Sequence, residues 1–254
     1  MEEKTKKKAD LGEIIYNAPM LQVIAVFAAA AVAVCLIVGL IMLILGFGFV
    51  TETVDDGRTV KYFGIIRDGT PTFGWLCDSD GNRGFVSKNG IKYKDGSRYE
   101  GDLSGFYYND SDAIYTDSDG NVYRGNFQWG KLEGHVVAEY ASGGGFEGSY
   151  LNGKRHGYGK ETFYDDKGNA YGYSGDYADG EKNGYGELVY RDGSIYKGNF
   201  KNGMRHGEGF YRYKTGDTYT GEFRNNVIYG AGTMMFTSGR VFSGEFINGI
   251  PVLE

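Results

Sequence analysis

An aromatic residue followed two positions later by glycine recurs along this 254-residue chain at Tyr99/Gly101, Tyr123/Gly125, Phe146/Gly148, Tyr173/Gly175, Tyr196/Gly198, Tyr219/Gly221 and Phe242/Gly244. The triplet glycines are spaced by 24, 23, 27, 23, 23 and 23 residues. A fixed period of this length marks a stacked array, in which each unit buries its apolar face against its neighbours. Residues 191–209, RDGSIYKGNFKNGMRHGEG, display one unit. Tyr196, Gly198 and Phe200 fall on one face of an extended segment because strand side chains alternate. Asn202-Gly203 is the dipeptide that accepts positive φ at both centres of a two-residue hairpin turn, and a second strand is read from Gly207-Glu208-Gly209 onward. Each unit is therefore a β-hairpin, and a further glycine five residues before the triplet glycine (Gly96, Gly120, Gly143, Gly193, Gly216, Gly239) ends each second strand. The spacing of 27 comes from extra residues within 164–173, read as lying in a turn, where inserts are tolerated.

The succession of aromatic-x-Gly-x-aromatic, Asn-Gly, basic-His-Gly-x-Gly and Asp-Gly in YKGNFKNGMRHGEG and FEGSYLNGKRHGYG resembles the MORN repeat, the membrane occupation and recognition nexus. The likeness runs from residue 99 to 249 and fades before that, where YFGIIRDG (62–69) and RGFVSKNG (83–90) read as worn copies. The bacterial antitoxin-type Tyr-Asn-Gly repeat is similar in its hairpins, but usually lacks the Gly-x-Gly entry found at Gly157/Gly159, Gly184/Gly186, Gly207/Gly209 and Gly230/Gly232. The MORN resemblance implies protein or lipid partners at membranes, and self-association, without naming a ligand.

The chain holds 43 glycines and 40 aromatics (2 Trp, 22 Tyr, 16 Phe). Glycine at this density without a Gly-X-Y period often means disorder, yet disordered chains are poor in aromatics. Order is the better reading: a glycine two residues after a ring leaves a slot over which that ring, or a neighbour's, can lie. The formal charge is −6 and belongs entirely to the segment after residue 50, since four lysines and four acids cancel within residues 1–20. Nucleic acid is an unsuitable partner, because phosphate binding needs a net basic footprint.

Residues 21–50 contain no charged side chain and one strongly polar one, Gln22. Thirty helical residues would reach about 45 Å, against a hydrocarbon core of about 30 Å, so the run reads as one transmembrane α-helix, tilted or overhanging. A cleavable signal would have a shorter apolar stretch, of about 7–15 residues, and a small-residue cut site. Lys4, Lys6, Lys7 and Lys8 precede the run, and Arg58, Lys61 and Arg67 lie in the twenty residues after it. The positive-inside rule then puts the N-terminus in the cytoplasm and the repeats outside.

Motifs that could carry chemistry have plainer explanations. Cys35 lies in the apolar run and Cys77 in the worn repeats, so the two cannot pair within one chain. His156 and His206 occupy one repeat position, two repeats apart, and at about 4.8 Å per strand stand too far from each other to share a metal; His135 points to the opposite face. DSDG at 78–81 and 117–120 has too few carboxylates for a calcium loop and reads as an Asp-Gly turn. The Gly-x-Gly pairs open no helix and so make no phosphate loop. The basic patches at 154–156 and 204–206 read as solvated turns. Trp75 reads as a core or capping residue of an atypical terminal repeat. Trp129, standing where other units have Asn, should sit exposed at a turn and is the candidate partner contact.

The expectation is an all-β, elongated, open single-sheet solenoid of stacked hairpins behind one transmembrane helix. Its parts are a cytoplasmic segment (1–20), the helix (21–50), a linker with degenerate repeats (51–98) and the array (99–254). The expected function is a non-catalytic, membrane-tethered scaffold that binds protein or membrane, without cofactor or metal and able to form a homodimer. The rival is a cell-surface carbohydrate binder, which requires a row of repeat rings facing solvent. At the C-terminal edge, Pro251 and Glu254 would blunt pairing with other chains.

Overall fold

Asn202 and Gly203 adopt φ of 50° and 75°, the conformation that lets a two-residue turn follow the twist of its strands. They join a strand at Ile195–Lys201 to one at Met204–Arg212, and the same turn recurs at 68–69, 129–130, 152–153, 179–180, 225–226 and 248–249. The computed structural model describes residues 20–54 and 57–252. The lysines at 4, 6, 7 and 8, and Glu254, lie outside them.

One helix, α1 (Met20–Ile44), precedes the strands. In chain order these are β1 Phe47–Thr53, β2 Thr59–Arg67, β3 Thr70–Asp78, β4 Arg83–Ser87, β5 Gly90–Tyr93, β6 Arg98–Glu100, β7 Leu103–Ser104 and β8 Tyr107–Tyr108. They continue with β9 Asp110–Thr116, β10 Val122–Gln128, β11 Lys131–Glu139, β12 Gly145–Leu151, β13 Lys154–Tyr164, β14 Ala170–Ala178 and β15 Glu181–Val189. Then follow β16 Ile195–Lys201, β17 Met204–Arg212, β18 Thr218–Arg224, β19 Val227–Met235, β20 Val241–Ile247 and β21 Ile250–Pro251. Among the described residues, 19 of these strands form one open antiparallel sheet. Each pairs with its successor in the chain, except that β6 skips to β9. The skipped β7 and β8 form a separate two-stranded ribbon. The all-β, open, single-sheet expectation holds.

A row of glycines runs across the sheet. Gly148, Gly159, Gly175, Gly186, Gly198, Gly209, Gly221, Gly232 and Gly244 face one another in register from β12 to β20. The triplet rings lie over this row: a Cβ on Gly209 would stand 2.5 Å from Tyr196 Cε2, and one on Gly186 only 2.5 Å from Tyr173 Cε2. The rings also meet edge-on, the favoured aromatic geometry. Tyr196 touches Phe200 of its own strand at 5.1 Å and Phe223 of the next unit at 5.0 Å, and Tyr219 repeats this with Phe223 at 5.3 Å and Phe246 at 5.2 Å. This zigzag buries Tyr173, Tyr196, Tyr219 and Phe246 almost completely on one face of a single sheet. Tyr99 and Phe146 are equally buried, whereas Tyr123 and Phe242 are half-buried. The worn copies keep the device: the Tyr62 hydroxyl hangs over the Gly64/Gly74 pair.

The first two triplet glycines correct the sequence reading, which made them equivalent to the rest. Gly101 lies just past the end of β6 at Glu100, outside any strand, and so has no ladder partner. Gly125 is within β10 but faces Ala113 of β9 and Val136 of β11 in place of glycines. Both are half-buried, whereas Gly148, Gly175, Gly198 and Gly221 are buried. At Gly125 the cause is the neighbouring strands: with the Ala113 methyl and the Val136 isopropyl group opposite, the backbone row is interrupted. Gly101 still accommodates its own ring, since a Cβ there would stand 2.7 Å from the Tyr99 hydroxyl. At Gly125 a Cβ would instead meet the His135 carbonyl at 2.8 Å and Val136 Cγ2 at 3.2 Å.

Three boundaries also differ from the sequence reading. The second strand starts at the turn, at Met204, because Gly207 (φ 69°) carries a bulge inside it. Between the pairs Gly198/Gly209 and Phe200/Arg205, residues 206–208 bow out opposite Asn199 alone. The insert in 164–173 lengthens the hairpin instead of its turn, adding pairs Phe163/Tyr171 and Tyr164/Ala170. The apolar run is divided: α1 stops at Ile44, Gly46 turns at φ 82°, and Phe47–Thr53 becomes the first edge strand. The side chains from Ile24 to Ile44 are almost wholly exposed, over a span of mean hydropathy 3.0.

Candidate functional site

Because the repeat rings cover one another, the inner face is filled along most of β12–β20, and a groove opens toward the amino end. There the β7–β8 ribbon, absent from the repeat pattern, folds over it. Tyr108 of the ribbon stacks on Tyr99 at 4.0 Å and donates to the Tyr93 hydroxyl at 2.8 Å. Phe106 meets Tyr62 edge-on at 5.6 Å. Beside the ribbon runs a groove of about 730 Å³, lined by Tyr107, Trp129, Lys131, Leu132 and Tyr150, with Asp78, Asp95 and Asp117 along one end. It combines ring faces with a few polar groups, the usual make-up of a binding cleft.

Trp129 stands at one wall, 58% exposed and edge-on to Tyr107 at 5.8 Å. It holds φ 51°, where the other units place Asn152, Asp179, Asn202, Asn225 or Asn248. A bulky residue in this left-handed region is uncommon. Trp75 corrects the sequence reading: it is 50% exposed on the opposite face of the sheet, outside the buried core. Its ring instead joins Phe63, Phe73 and Phe85 at 5.3–6.5 Å.

The carboxylates at the groove end serve their own turns. Asp78 accepts from the amides of Asp80 and Asn82 at 3.0 and 2.9 Å, from the Asn82 side chain at 2.8 Å, and from Arg58 at 3.2 Å. Burial would raise its carboxyl, but these bonds and the Arg58 charge hold it below the usual carboxylate range. Asp117 and Asp165 repeat the same bonds with Asn121 and Asn169. Burial pushes the Tyr108 and Tyr93 hydroxyls up, so both stay neutral.

The basic patches, read from the sequence as solvated turns, are not wholly solvated, because their arginines turn inward. The Arg155 guanidinium lies 4.5 Å over the Phe146 ring and pairs with Glu161 at 2.9 Å, both ion-pair side chains being largely buried. Arg205 lies 5.1–6.0 Å from Tyr190, Tyr196, Tyr211 and Phe223. His135 and His156 are exposed and His206 is half-buried, and none lines the groove. Among the described residues no group of three His, Cys, Asp or Glu could hold a metal ion, and Cys35 and Cys77 are free.

The remaining question is what kind of array makes this face. A comparison with protein families matches the MORN repeat at residues 123–145, 146–167, 173–195, 196–218 and 219–239. Five stretches within residues 123–239 thus match the MORN repeat. Each MORN match begins on the ring of its triplet, from Tyr123 to Tyr219, so the family unit coincides with one turn of the aromatic zigzag. The flanking triplets at Tyr99 and Phe242 lie outside the matched stretch. No curated protein matches the sequence. Among solved structures, the SAS-4 (dCPAP) TCP domain of Drosophila melanogaster, in complex with a proline-rich motif of Ana2 (dSTIL), aligns at 16% identity over 77% of this chain and 88% of that one, with a TM-score of 0.30.

The sequence reading missed the ribbon residues Phe106, Tyr107 and Tyr108. The signal available was GFYYN at 105–109, three adjacent aromatics outside the repeat period.

Proposed function

We propose that this protein is a non-catalytic scaffold tethered to a membrane by α1, with the MORN sheet as its rigid body and the groove beside Trp129 as the contact for a protein partner. The observation that carries this reading is the burial of the repeat rings on one another. Triplet rings engaged in holding the array together are unavailable to stack on sugars, which favours the scaffold over the carbohydrate alternative. The exposed apolar flank of α1, followed directly by the sheet, supports a single-pass anchor; the lysines before it favour a cytoplasmic N-terminus and extracytoplasmic repeats.

Four measurements test the reading. Intact mass of the mature protein should include residues 1–50; a chain beginning after α1 would make that helix a signal sequence. A phosphatase fused to the C-terminus should be active only on the outer side. Partner capture from detergent extracts should then be lost on Trp129→Ala, while binding to immobilised polysaccharide instead would favour the rival. Light scattering on residues 51–254 should detect a dimer.

A further inference from the structure

The outward face of β1–β4 carries six large rings in two adjoining rows. Phe49, Phe63, Trp75 and Phe85 stand opposite one another strand by strand, with Phe47 and Phe73 flanking Ile65 in the next row. The rings contact at 4.4–6.5 Å, yet Phe49 is 84% exposed, Trp75 50% and Phe73 43%. No layer of the described residues covers them. An exposed apolar patch of this kind marks an interaction surface.

We propose that this face lies in the headgroup region of the bilayer, as an aromatic belt beside the anchor. Three observations choose lipid over another occupant. Only Leu45 and Gly46 separate α1 from β1, so if α1 spans the membrane Phe47 sits within about 10 Å of its end. The outward positions of these strands carry Lys61, Arg67 and Arg83 and no carboxylate, and Lys61 and Arg83 flank the ring rows at the register of Thr51 and Cys77. Aromatic rings with cations at their rim suit the membrane interface, where rings take the headgroup level and basic groups reach phosphates. This inference rests on the anchor reading above.

With only two tryptophans in the chain, Trp129→Phe leaves Trp75 as the sole reporter. The full-length variant is reconstituted in vesicles of phosphatidylcholine with a minor fraction of phosphatidylglycerol, carrying nitroxide near the headgroup or bromine deep in the acyl chains. Trp75 should lose most of its emission to the shallow quencher and little to the deep one, and its maximum should shift to the blue. Adding Phe49→Asp, at a site too exposed to unfold the sheet, should abolish the shallow quenching. Retention of the chain through an alkaline carbonate wash with Trp75 unquenched would overturn the proposal and leave the anchor standing, whether the face is bare or covered by a second copy. Release by the wash would overturn both.

Discussion

The Tyr196 hydroxyl donates to the backbone carbonyl of Asn199 at 2.8 Å, reaching past Gly198 to the one residue that faces the three-residue bulge. Tyr62, Tyr99, Tyr173 and Tyr219 make the same bond to the residue three ahead, at 2.9–3.2 Å. The Tyr196 ring thus fills the glycine slot and satisfies the carbonyl that faces the bulge. Tyr196→Phe should keep the ring contacts and lower stability by about 1–2 kcal/mol, the cost of one lost bond plus a partly buried acceptor. Chemical denaturation of the two proteins checks it, and an unchanged midpoint would mean that water replaces the hydroxyl.

Glycine in the row is a matter of volume. A methyl at Gly209 meets the Tyr196 ring at 2.5–2.7 Å, and one at Gly198 meets the Gly209 backbone at 2.6 Å. Gly209→Ala and Gly198→Val should each cost about 1–3 kcal/mol through overpacking. Gly203, whose methyl would meet nothing within 4 Å, should lose only about 1 kcal/mol on Gly203→Ala, from its turn conformation. Thermal melts of all three separate crowding from backbone strain.

Arg205 tests whether the inward arginines act by charge or by stem. Its guanidinium sits among four rings, so Arg205→Ala should destabilise by about 1–2 kcal/mol. Arg205→Met, which keeps the stem, should recover about half. Equal losses in both would assign the whole effect to the cation.

Low pH should unfold the protein before neutral pH does. Asp78, Asp110 and Asp117 have folded pKa values below their ordinary 3.8. The unfolded chain then binds protons more readily, so their contribution is complete above about pH 4 and is lost as the pH falls through the lowered values. The melting temperature should be flat from pH 7 to about 5 and drop below about pH 4. Asn substitution at Asp78 should flatten that drop.

At Trp129 two terms nearly cancel. The left-handed backbone costs a bulky residue roughly 1–2 kcal/mol, and the edge contact with Tyr107 returns about 0.5–1.5 kcal/mol. Trp129→Asn should therefore change stability by less than about 1 kcal/mol while weakening partner capture. A large stability loss would make the ring structural instead.

The array was legible because period, turn chemistry and ring placement all point to one hairpin: Tyr196, Gly198 and Asn202-Gly203 each state their conformation locally. Gly101 and Gly125 share that local spelling, yet their place in the row depends on what the adjoining strands set opposite them, which the triplet does not carry. The bulge at residues 206–208 was harder, since Gly207 alone does not show how many residues it faces across the strand pair. The split of the apolar run at Gly46 was hidden because Phe47 to Val50 suits a membrane helix and a strand edge equally. The groove depends on the β7–β8 ribbon folding over distant strands, a tertiary event with no periodic mark, and the inward turn of Arg155 and Arg205 depends on ring faces supplied by neighbouring units.

Every strand of the sheet but β6 finds its partner across the next turn. A polypeptide delivered amino end first can therefore close each ribbon as soon as it emerges, so folding can keep pace with synthesis and growth proceeds outward from the amino end. Damage to a late ribbon would leave the earlier ones, with the groove and the outward ring cluster, already built.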